Sequence, residues 1–500
     1  MTIAAVAAIA ATAGCGGGRG GGPGPVGARA TTRAPVMAWV PADARMVFHV
    51  PAGLDQMMPA DAGSDDDGPD DDDVDGLRAT SPAGPVLAAF FAAGGNDLPG
   101  MMRAYGWRPG ESEAVVWARG TMGVVRTRLD TAALRASLAR AEQASGHTLP
   151  TATWRGRSYY RLYDGEGAQP TRLIGRVTDD DLVLMWTRDV ERDLPALMED
   201  RPPARGFDGA PVVDTIFPGH GDEAHFALMI DPRWPGEIAA ELDASGAAQP
   251  CGRASLAMLA RLPPIHLAWA RSATTVEVAA TVALEHATGA RLERELTALP
   301  HWSADERQLA LGFGLPLTTA LDVVMPWVGE LERVAGACGQ PLTLAPVLGG
   351  LTGFGPLAAI RSGSMIIDVQ SESGVIVVGL DDVARFWAGL RTLGPLRPQP
   401  PLVGERIRLP GAVITSDGSA LLVATGDRLD ERQLDRVAAL PPGPRVVVAM
   451  LLGEDGLTAL AREDGDDPGA ARLLGWIKAM ALDASVRDDH LIVRWVFHRR

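Results

Sequence analysis

The sequence has little positive charge, and its basic residues include a single lysine, Lys478. It contains 46 Lys and Arg residues against 62 Asp and Glu residues, and the formal net charge is −16. An acidic surface has no electrostatic attraction for the phosphates of nucleic acids. The composition therefore excludes nucleic acid as a partner. Much of the acidic excess lies in one run, 61–76, which is typical of a disordered insertion.

Catalytic signatures are also lacking. There is no G-x-S-x-G turn to present a nucleophilic serine and no H-E-x-x-H pair for zinc. The glycines of 350–355 resemble a phosphate-binding loop, but the segment has no lysine and no strand–turn–helix context. His220 and His225 precede and enter a predicted strand, so their side chains do not converge on a metal. The sequence therefore predicts no catalytic residue, no metal ligand and no cofactor.

The first residues indicate where the protein is located. Residues 1–13 are apolar and uncharged, and small residues at 12–14 precede Cys15. This pattern resembles the lipobox of bacterial lipoproteins, in which the signal peptide is removed and the cysteine carries the lipid. The resemblance implies a signal peptide at 1–14, lipid attachment at Cys15 and a Gly/Pro-rich tether over 15–35. It also implies a position in the cell envelope, anchored to a membrane and facing the periplasm or the cell surface.

Two further cysteines, Cys251 and Cys338, complete the set. In an oxidising compartment an even number of cysteines is compatible with a disulfide. The alternative is a pair of free, buried thiols. If the two residues are bonded, their Cα atoms lie about 4.4–6.8 Å apart.

A repeated motif indicates an internal duplication. Trp39, A-D-x-R at 42–45 and L-D-x-x-M-P at 54–59 recur in the same order as Trp302, 304–307 and 321–326. Self-similarity of this kind is the sequence signature of a repeated structural unit. We therefore expect a first repeat over 36–285, with the acidic insertion 61–76 inside it, and a second repeat over 300–497.

The hydrophobic patterns predict an α+β fold. Each half contains paired strands around helices, which favours largely antiparallel sheets with helices packed on one face. The strand–helix–strand–strand order that opens on Pro41-Ala42-Asp43 resembles uncharacterised bacterial membrane-anchored lipoproteins built on a duplicated domain of unknown function. That resemblance carries no assigned chemistry.

One segment is uncharged over an unusual length. Residues 334–360 contain no charged side chain, although six glycines and three prolines make the segment unsuitable as a transmembrane helix. We expect a long irregular connection, for which the first half has only a short counterpart. Its apolar residues are expected to be mostly buried in a seam between the halves or to line an apolar ligand site; they are Leu342, Leu344, Leu348, Leu351 and Phe354.

These observations predict a non-catalytic envelope lipoprotein that acts in binding, scaffolding or assembly. Its expected partners are a membrane, reached through the lipid anchor, and an envelope protein or an apolar ligand. One alternative is a carrier that holds an apolar ligand in a cavity near 334–360. The other is an envelope hydrolase whose catalytic residues the sequence does not identify.

Overall fold

The computed structural model describes the chain between residues 35 and 499 with internal gaps. The described residues are 35–52, 81, 83–94, 105–108, 110–165, 170–220, 223–241, 249–302, 308–340, 342–353, 355–368, 373–392, 396, 399–426, 431–463 and 477–499. The predicted signal peptide, Cys15, nearly all of the tether and the acidic insertion 61–76 lie outside these residues.

The described strands all belong to antiparallel ladders. In chain order they are β1 (Met46–Val50), β2 (Glu113–Arg119), β3 (Met122–Arg128), β4 (Thr151–Trp154), β5 (Arg157–Asp164), β6 (Arg172–Val177), β7 (Asp181–Thr187), β8 (Ala224–Ile230), β9 (Ile265–Arg271), β10 (Thr275–Ala283), β11 (Ala298–Pro300), β12 (Gln308–Phe313), β13 (Ile360–Asp368), β14 (Ser373–Leu380), β15 (Ile407–Leu409), β16 (Ala412–Ser416), β17 (Ala420–Thr425), β18 (Pro442–Arg445), β19 (Val448–Leu452), β20 (Ile477–Arg487) and β21 (His490–Arg499).

Helices alternate with these strands. The α-helices are α1 (Gly84–Gly94), α2 (Thr131–Ser145), α3 (Val190–Met198), α4 (Ala210–Ile216), α5 (Trp234–Glu241), α6 (Pro250–Leu259), α7 (His286–Glu295), α8 (Leu317–Ala337), α9 (Ala345–Gly353), α10 (Val383–Leu390), α11 (Glu431–Ala438) and α12 (Glu454–Glu463). Two 3₁₀ turns cover Val36–Trp39 and Leu357–Ala359.

The chain divides into two compact units. The first comprises the described residues within Met1–Val212 and His225–Ala244, and the second those within Val213–Ala224 and Ser245–Arg500. Strands β9 and β10, which the sequence assigns to the first repeat, lie in the second unit because β10 pairs with β21.

The strands of the first unit pair in the order β4-β5-β6-β7-β3-β2-β1-β8. One row of directly paired residues crosses six of them, namely Ile174, Met185, Val124, Trp117, Val47 and Met229. Helices α1 and α2 cover β5 to β7, with Phe90 and Leu134 packed against Leu162 and Leu182. Helix α2 is capped by Asp130, whose carboxylate accepts hydrogen bonds from the backbone N–H groups of Ala132 and Ala133 in the first turn.

The strands of the second unit pair in the order β15-β16-β17-β14-β13-β12-β19-β20-β21-β10-β9. A corresponding row crosses six of these strands through Ala412, Thr425, Gly374, Ile367, Leu309 and Leu452. The short strands β11 and β18 form a separate two-stranded ladder.

The predicted α+β class with antiparallel sheets is correct, but the expectation of helices on one face is wrong in the second unit. Leu421 packs in the cluster of Phe386 and Trp387 from α10, whereas Leu422 packs with Leu434 from α11. Successive residues of a strand point to opposite faces, so the two helices cover opposite sides of β17. The continuous apolar run of β17 is typical of a strand buried on both faces.

The uncharged segment is more regular than expected. It contains the end of α8, then α9 and the second 3₁₀ turn. The short counterpart expected in the first half stays a prediction, because residues 95–104, which lie between α1 and β2, are outside the described residues.

Candidate functional site

An exposed apolar stripe follows one side of α8. Val324, Trp327 and Leu331 are spaced by three and four residues, so their side chains project from one side of the helix. Their exposed fractions are 46%, 41% and 43%. Buried Leu321 and Val328 attach the same helix to the body of the second unit. The stripe is therefore an outward surface of a well-anchored helix.

The next segment adds three more exposed apolar side chains. Leu342 and Leu344 are 36% and 37% exposed, and Val347, in α9, is 64% exposed. Helices α8 and α9 are in contact with each other. We refer to Val324, Trp327, Leu331, Leu342, Leu344 and Val347 as the apolar face.

The expectation that the leucines of 334–360 are mostly buried is wrong for Leu342 and Leu344, which are exposed. Leu348 is half-buried. The side chain of Leu351 and the whole of Phe354 lie outside the described residues. The physical reason is that the second unit itself does not enclose these two side chains or that of Val347. The sequence signal that would have revealed the face is the spacing of apolar residues at 324, 327 and 331.

The apolar face is held in place by a disulfide. Cys251, in α6, is bonded to Cys338, the residue that follows α8, and their Cα atoms are 4.4 Å apart. The two residues are separated by 87 positions in the sequence. The disulfide therefore fixes the C-terminal end of α8 to α6.

A carboxylate fixes the connection between the two helices of the face. The side chain of Glu332, in α8, accepts hydrogen bonds from the backbone N–H groups of Leu344 at 2.5 Å and Ala345 at 2.6 Å. Unpaired N–H groups at a helix start favour a negative charge. Glu332 therefore caps the start of α9 and positions Leu344.

The other acidic side chains of α8 are paired with arginines. Glu330 forms ion pairs with Arg333 at 2.8 Å and with Arg261, and Asp322 pairs with Arg291 at 2.8 Å. The hydrogen bond that Arg333 donates and the charges of both arginines hold the pKa of Glu330 below its ordinary value. The helix therefore combines an uncharged apolar stripe with neutralised carboxylates.

A cluster of charged groups lies on β1, β2, β3 and β7 of the first unit. His49 contacts the Glu113 carboxylate at 2.9 Å, and Arg126 donates to Asp181 at 2.7 Å. Arg128 lies between the two carboxylates, 3.8 Å from Glu113 and 3.6 Å from Asp181. The side chains of His49, Glu113, Arg126 and Asp181 are at most 14% exposed, and that of Arg128 is 24% exposed. The cluster brings together the His, Glu and Asp groups that a hydrolase would need.

The 3₁₀ turn at Val36–Trp39 covers this cluster. The backbone N–H of Val36 lies 3.4 Å from Glu113 Oε2, and the guanidinium of Arg126 stacks at 3.2 Å over the ring of Trp39. Burial raises the pKa of Glu113, but the hydrogen bond with His49 and the charge of Arg128 outweigh it, so the pKa lies below its ordinary value of 4.5. The groups are therefore engaged in attaching the start of the body to the sheet.

The repeated A-D-x-R motif also has a structural role in the first unit. Asp43 pairs with Arg119 at 2.7 Å, and Arg45 pairs with Asp231 and Glu237, each at 2.8 Å. Asp231 also accepts hydrogen bonds from Arg233. The motif therefore ties the start of β1 to β2 and to the chain that follows β8. In the second half, residues 303–307 lie outside the described residues.

Two pockets of the described surface belong to the first unit. One, of about 610 Å³, is lined by residues at 157 and 199–204, and the other, of about 300 Å³, by Arg119, Arg192, Asp193 and Glu237 among others. Neither is lined by a residue of 334–360. Among the described residues, no group of three or more His, Cys, Asp or Glu side chains is arranged to hold a metal ion. His220 directly follows the turn at 218–219, and His225 lies in β8.

Within the part of the chain that the structure covers, no helix combines the length and apolarity required to cross a bilayer.

Comparisons with known proteins add little. No family model and no curated protein matches the sequence. Among solved structures, crystal form III of TP0453 is similar over 54% of this chain and 90% of that chain, with 11% identity and a TM-score of 0.23. A likeness at this level carries no argument about the fold or the function of this chain.

Proposed function

We propose that the protein is a lipid-anchored, non-catalytic component of the bacterial cell envelope that acts in binding, scaffolding or assembly. The lipid is attached at Cys15, and residues 15–35 tether the body to the membrane. The observation that carries the binding role is the apolar face of α8 and α9. Exposed apolar surface of this kind is typical of a site that meets a partner or a membrane.

The disulfide supports the location. A bond between Cys251 and Cys338 is stable in an oxidising compartment and is rare where thiols are kept reduced. This agrees with the lipobox resemblance, because a lipidated protein of this class faces the periplasm or the cell surface.

The non-catalytic role is supported by the structural contacts that the clustered polar side chains make. In the first unit His49, Glu113, Arg126 and Asp181 are engaged with one another and with the turn above them. The apolar residues 342–347 face outward, which favours contact with an external surface over a ligand enclosed in a cavity.

We also infer that the chain is a tandem duplication of one α+β domain, with repeats at 36–285 and 300–497. Support comes from the strand order, since β5-β6-β7-β3-β2-β1-β8 corresponds to β15-β16-β17-β14-β13-β12-β19. The rows of paired residues through Val47 and Leu309 match strand for strand. The hairpins β9–β10 and β20–β21 are then the corresponding last strands of each repeat.

Fractionation of bacterial cells tests the anchor. The wild-type chain is expected to remain with the membranes after a wash in alkaline carbonate and to be released by detergent, because an acyl chain partitions into the bilayer. The Cys15→Ala variant is expected in the carbonate-soluble fraction. The matched control Cys338→Ala retains Cys15 and should stay with the membranes. Identical fractionation of wild type and Cys15→Ala would contradict the proposal.

A further inference from the structure

We propose that the apolar face is a membrane-contact surface, which lies against the head-group region of a phospholipid bilayer. This proposal rests on the lipid anchor proposed above, which keeps the protein close to a bilayer, and it names the surface of the protein that contacts the lipid. It is carried by four observations on the second unit and the tether.

The first observation is the chemistry of the face. Its members are aliphatic except for Trp327, which lies between Val324 and Leu331 on the stripe. Tryptophan is enriched at membrane–water interfaces because its ring is mostly apolar and its N–H is polar. A helix with such a stripe lies in the plane of an interface and buries its apolar side in the head-group boundary.

The second observation is the charge around the face. The chain is acidic overall, and unpaired carboxylates would oppose approach to a membrane. On α8 the carboxylates of Asp322 and Glu330 are neutralised by arginines, and that of Glu332 caps α9. The segment 334–360 has no charged residue. The apolar face can therefore contact lipid without bringing an unpaired charge to the membrane–water boundary.

The third observation is the size of the face. From their exposed fractions, the six residues together expose roughly 500 Å² of surface, which is the size of functional patches on monomers. A stable protein–protein interface buries about 800 Å² on each partner. The face is small for a permanent dimer contact but sufficient as a second attachment that adds to a lipid anchor, since stable anchoring takes two signals.

The fourth observation is the length of the chain between the anchor and the body. Nineteen residues lie between Cys15 and Pro35, and a chain of that length spans at most roughly 70 Å when fully extended. The bilayer that holds the lipid is thus within roughly 70 Å of Pro35, and binding through the face, which belongs to the same chain, is an intramolecular event with a raised effective concentration.

The test uses the full-length Cys15→Ala chain, which carries no lipid, so its outcome does not depend on acylation. Flotation with phosphatidylcholine vesicles measures the bound fraction. Adding Trp327→Asp and Leu331→Asp is expected to lower the vesicle partition coefficient at least about tenfold, because it removes apolar contact and brings charge to the interface. The matched control is Leu402→Asp with Val403→Asp. These residues are 74% and 72% exposed and lie outside the face, and we expect the control to bind as the parent does.

A second measurement reports on the face alone. Vesicles whose acyl chains carry bromine quench tryptophans at the boundary, and we expect the parent to be quenched more than its Trp327→Phe variant. Equal quenching of the two proteins, or equal flotation of the parent and the charged variant, would overturn the proposal. A third outcome is that the parent fails to float and is dimeric in solution, whereas the charged variant is monomeric. This result would assign the face to a second copy of the chain and would likewise overturn the proposal. Failure of the anchor is recognised separately, by wild-type fractionation in cells.

Discussion

Arg126 and Asp181 form an ion pair that is almost completely enclosed, with side-chain exposures of 7% and 6%. Burial lowers the pKa of Arg126, and the hydrogen bond that it donates to Asp181 opposes this effect. Taking two charges out of water is costly, and the cost is offset only while both partners are present. The stacked ring of Trp39 completes the enclosure of the guanidinium.

The first prediction compares removal of one charge with removal of both. Asp181→Leu leaves the buried guanidinium of Arg126 without its counter-charge and should lower the free energy of unfolding by about 3–5 kcal/mol. Arg126→Met combined with Asp181→Leu should recover most of that loss, because no uncompensated charge remains. Urea unfolding followed by circular dichroism measures both. If the double variant is as unstable as the single one, the loss of stability does not come from an uncompensated charge on Arg126.

The second prediction concerns the acid side of the stability profile. In the folded protein the pKa of Glu113 lies below its ordinary value of 4.5. The ionised carboxylate therefore contributes to the free energy of unfolding above pH 4.5, and this contribution is lost as the pH falls through the lower, folded-state pKa. Glu113→Gln removes a buried, charged hydrogen-bond partner and should cost about 1–3 kcal/mol at neutral pH. The difference from wild type should shrink as the pH is lowered below 4.5. Thermal unfolding across that range measures it.

The control for this prediction is Glu111→Gln. Glu111 is on the surface, 3.5 Å from Arg108. An exposed ion pair contributes little to the free energy of unfolding. The control should match wild type throughout the pH range. A Glu113→Gln deficit that is constant with pH would show that the carboxylate does not titrate as the geometry requires.

At the scale of elements, hairpins and capped helices are predictable from sequence because their signals are local. Asp130 and Gly146 define the ends of α2, and Val115 and Val124 belong to strands joined by a tight turn. Helix α9 is missed because glycines at 349, 350 and 353 weaken the helical signal. Its formation depends on the carboxylate cap from Glu332, which sequence distance conceals.

The third prediction concerns the link between α6 and α8. A disulfide that closes a loop of 87 residues stabilises a protein by about 4–5 kcal/mol on the chain-entropy model. Replacing Cys251 and Cys338 with serine should lower the thermal midpoint of the second unit and increase hydrogen exchange at the end of α8. A reducing agent should reproduce this effect in the wild type and leave the variant unchanged. An unchanged midpoint in the double variant would contradict the role assigned to the disulfide.

At the scale of the whole molecule, the repeated motif predicts a duplication, and the matching strand orders support it. The sequence does not indicate that β10 pairs with β21, because such pairing depends on residues about 215 positions apart (Ala279 with Arg494). The sequence also does not indicate that Leu342 and Leu344 are exposed. An apolar side chain is predicted to be buried, and only the folded structure shows whether other residues cover it. The ligand-site role that the sequence assigns to residues in 334–360 stays a prediction.

The fourth prediction tests the duplication through its charges. If the two halves are equivalent, Val47 matches Leu309 and Met229 matches Leu452. Counting two residues along the sequence from each position then matches Arg45 with Arg307 and Asp231 with Glu454. Arg307 and Glu454 should therefore be energetically coupled, as Arg45 and Asp231 are through their 2.8 Å ion pair. A double-mutant cycle with alanine should give a coupling of about 0.5–3 kcal/mol. The same cycle on Arg45 and Asp231 is the control, and additive effects at 307 and 454 would count against equivalent halves.

The proposed function depends most on the lipid anchor, and the mass of the mature N-terminal peptide tests that anchor directly. Protein purified from bacterial membranes and cleaved after arginine should yield a peptide of residues 15–19 whose mass exceeds that of the unmodified sequence by attached acyl groups. The same peptide should be absent from the Cys15→Ala variant. A peptide that begins at Met1, or an unmodified Cys15 in membrane-derived protein, would contradict the proposed function.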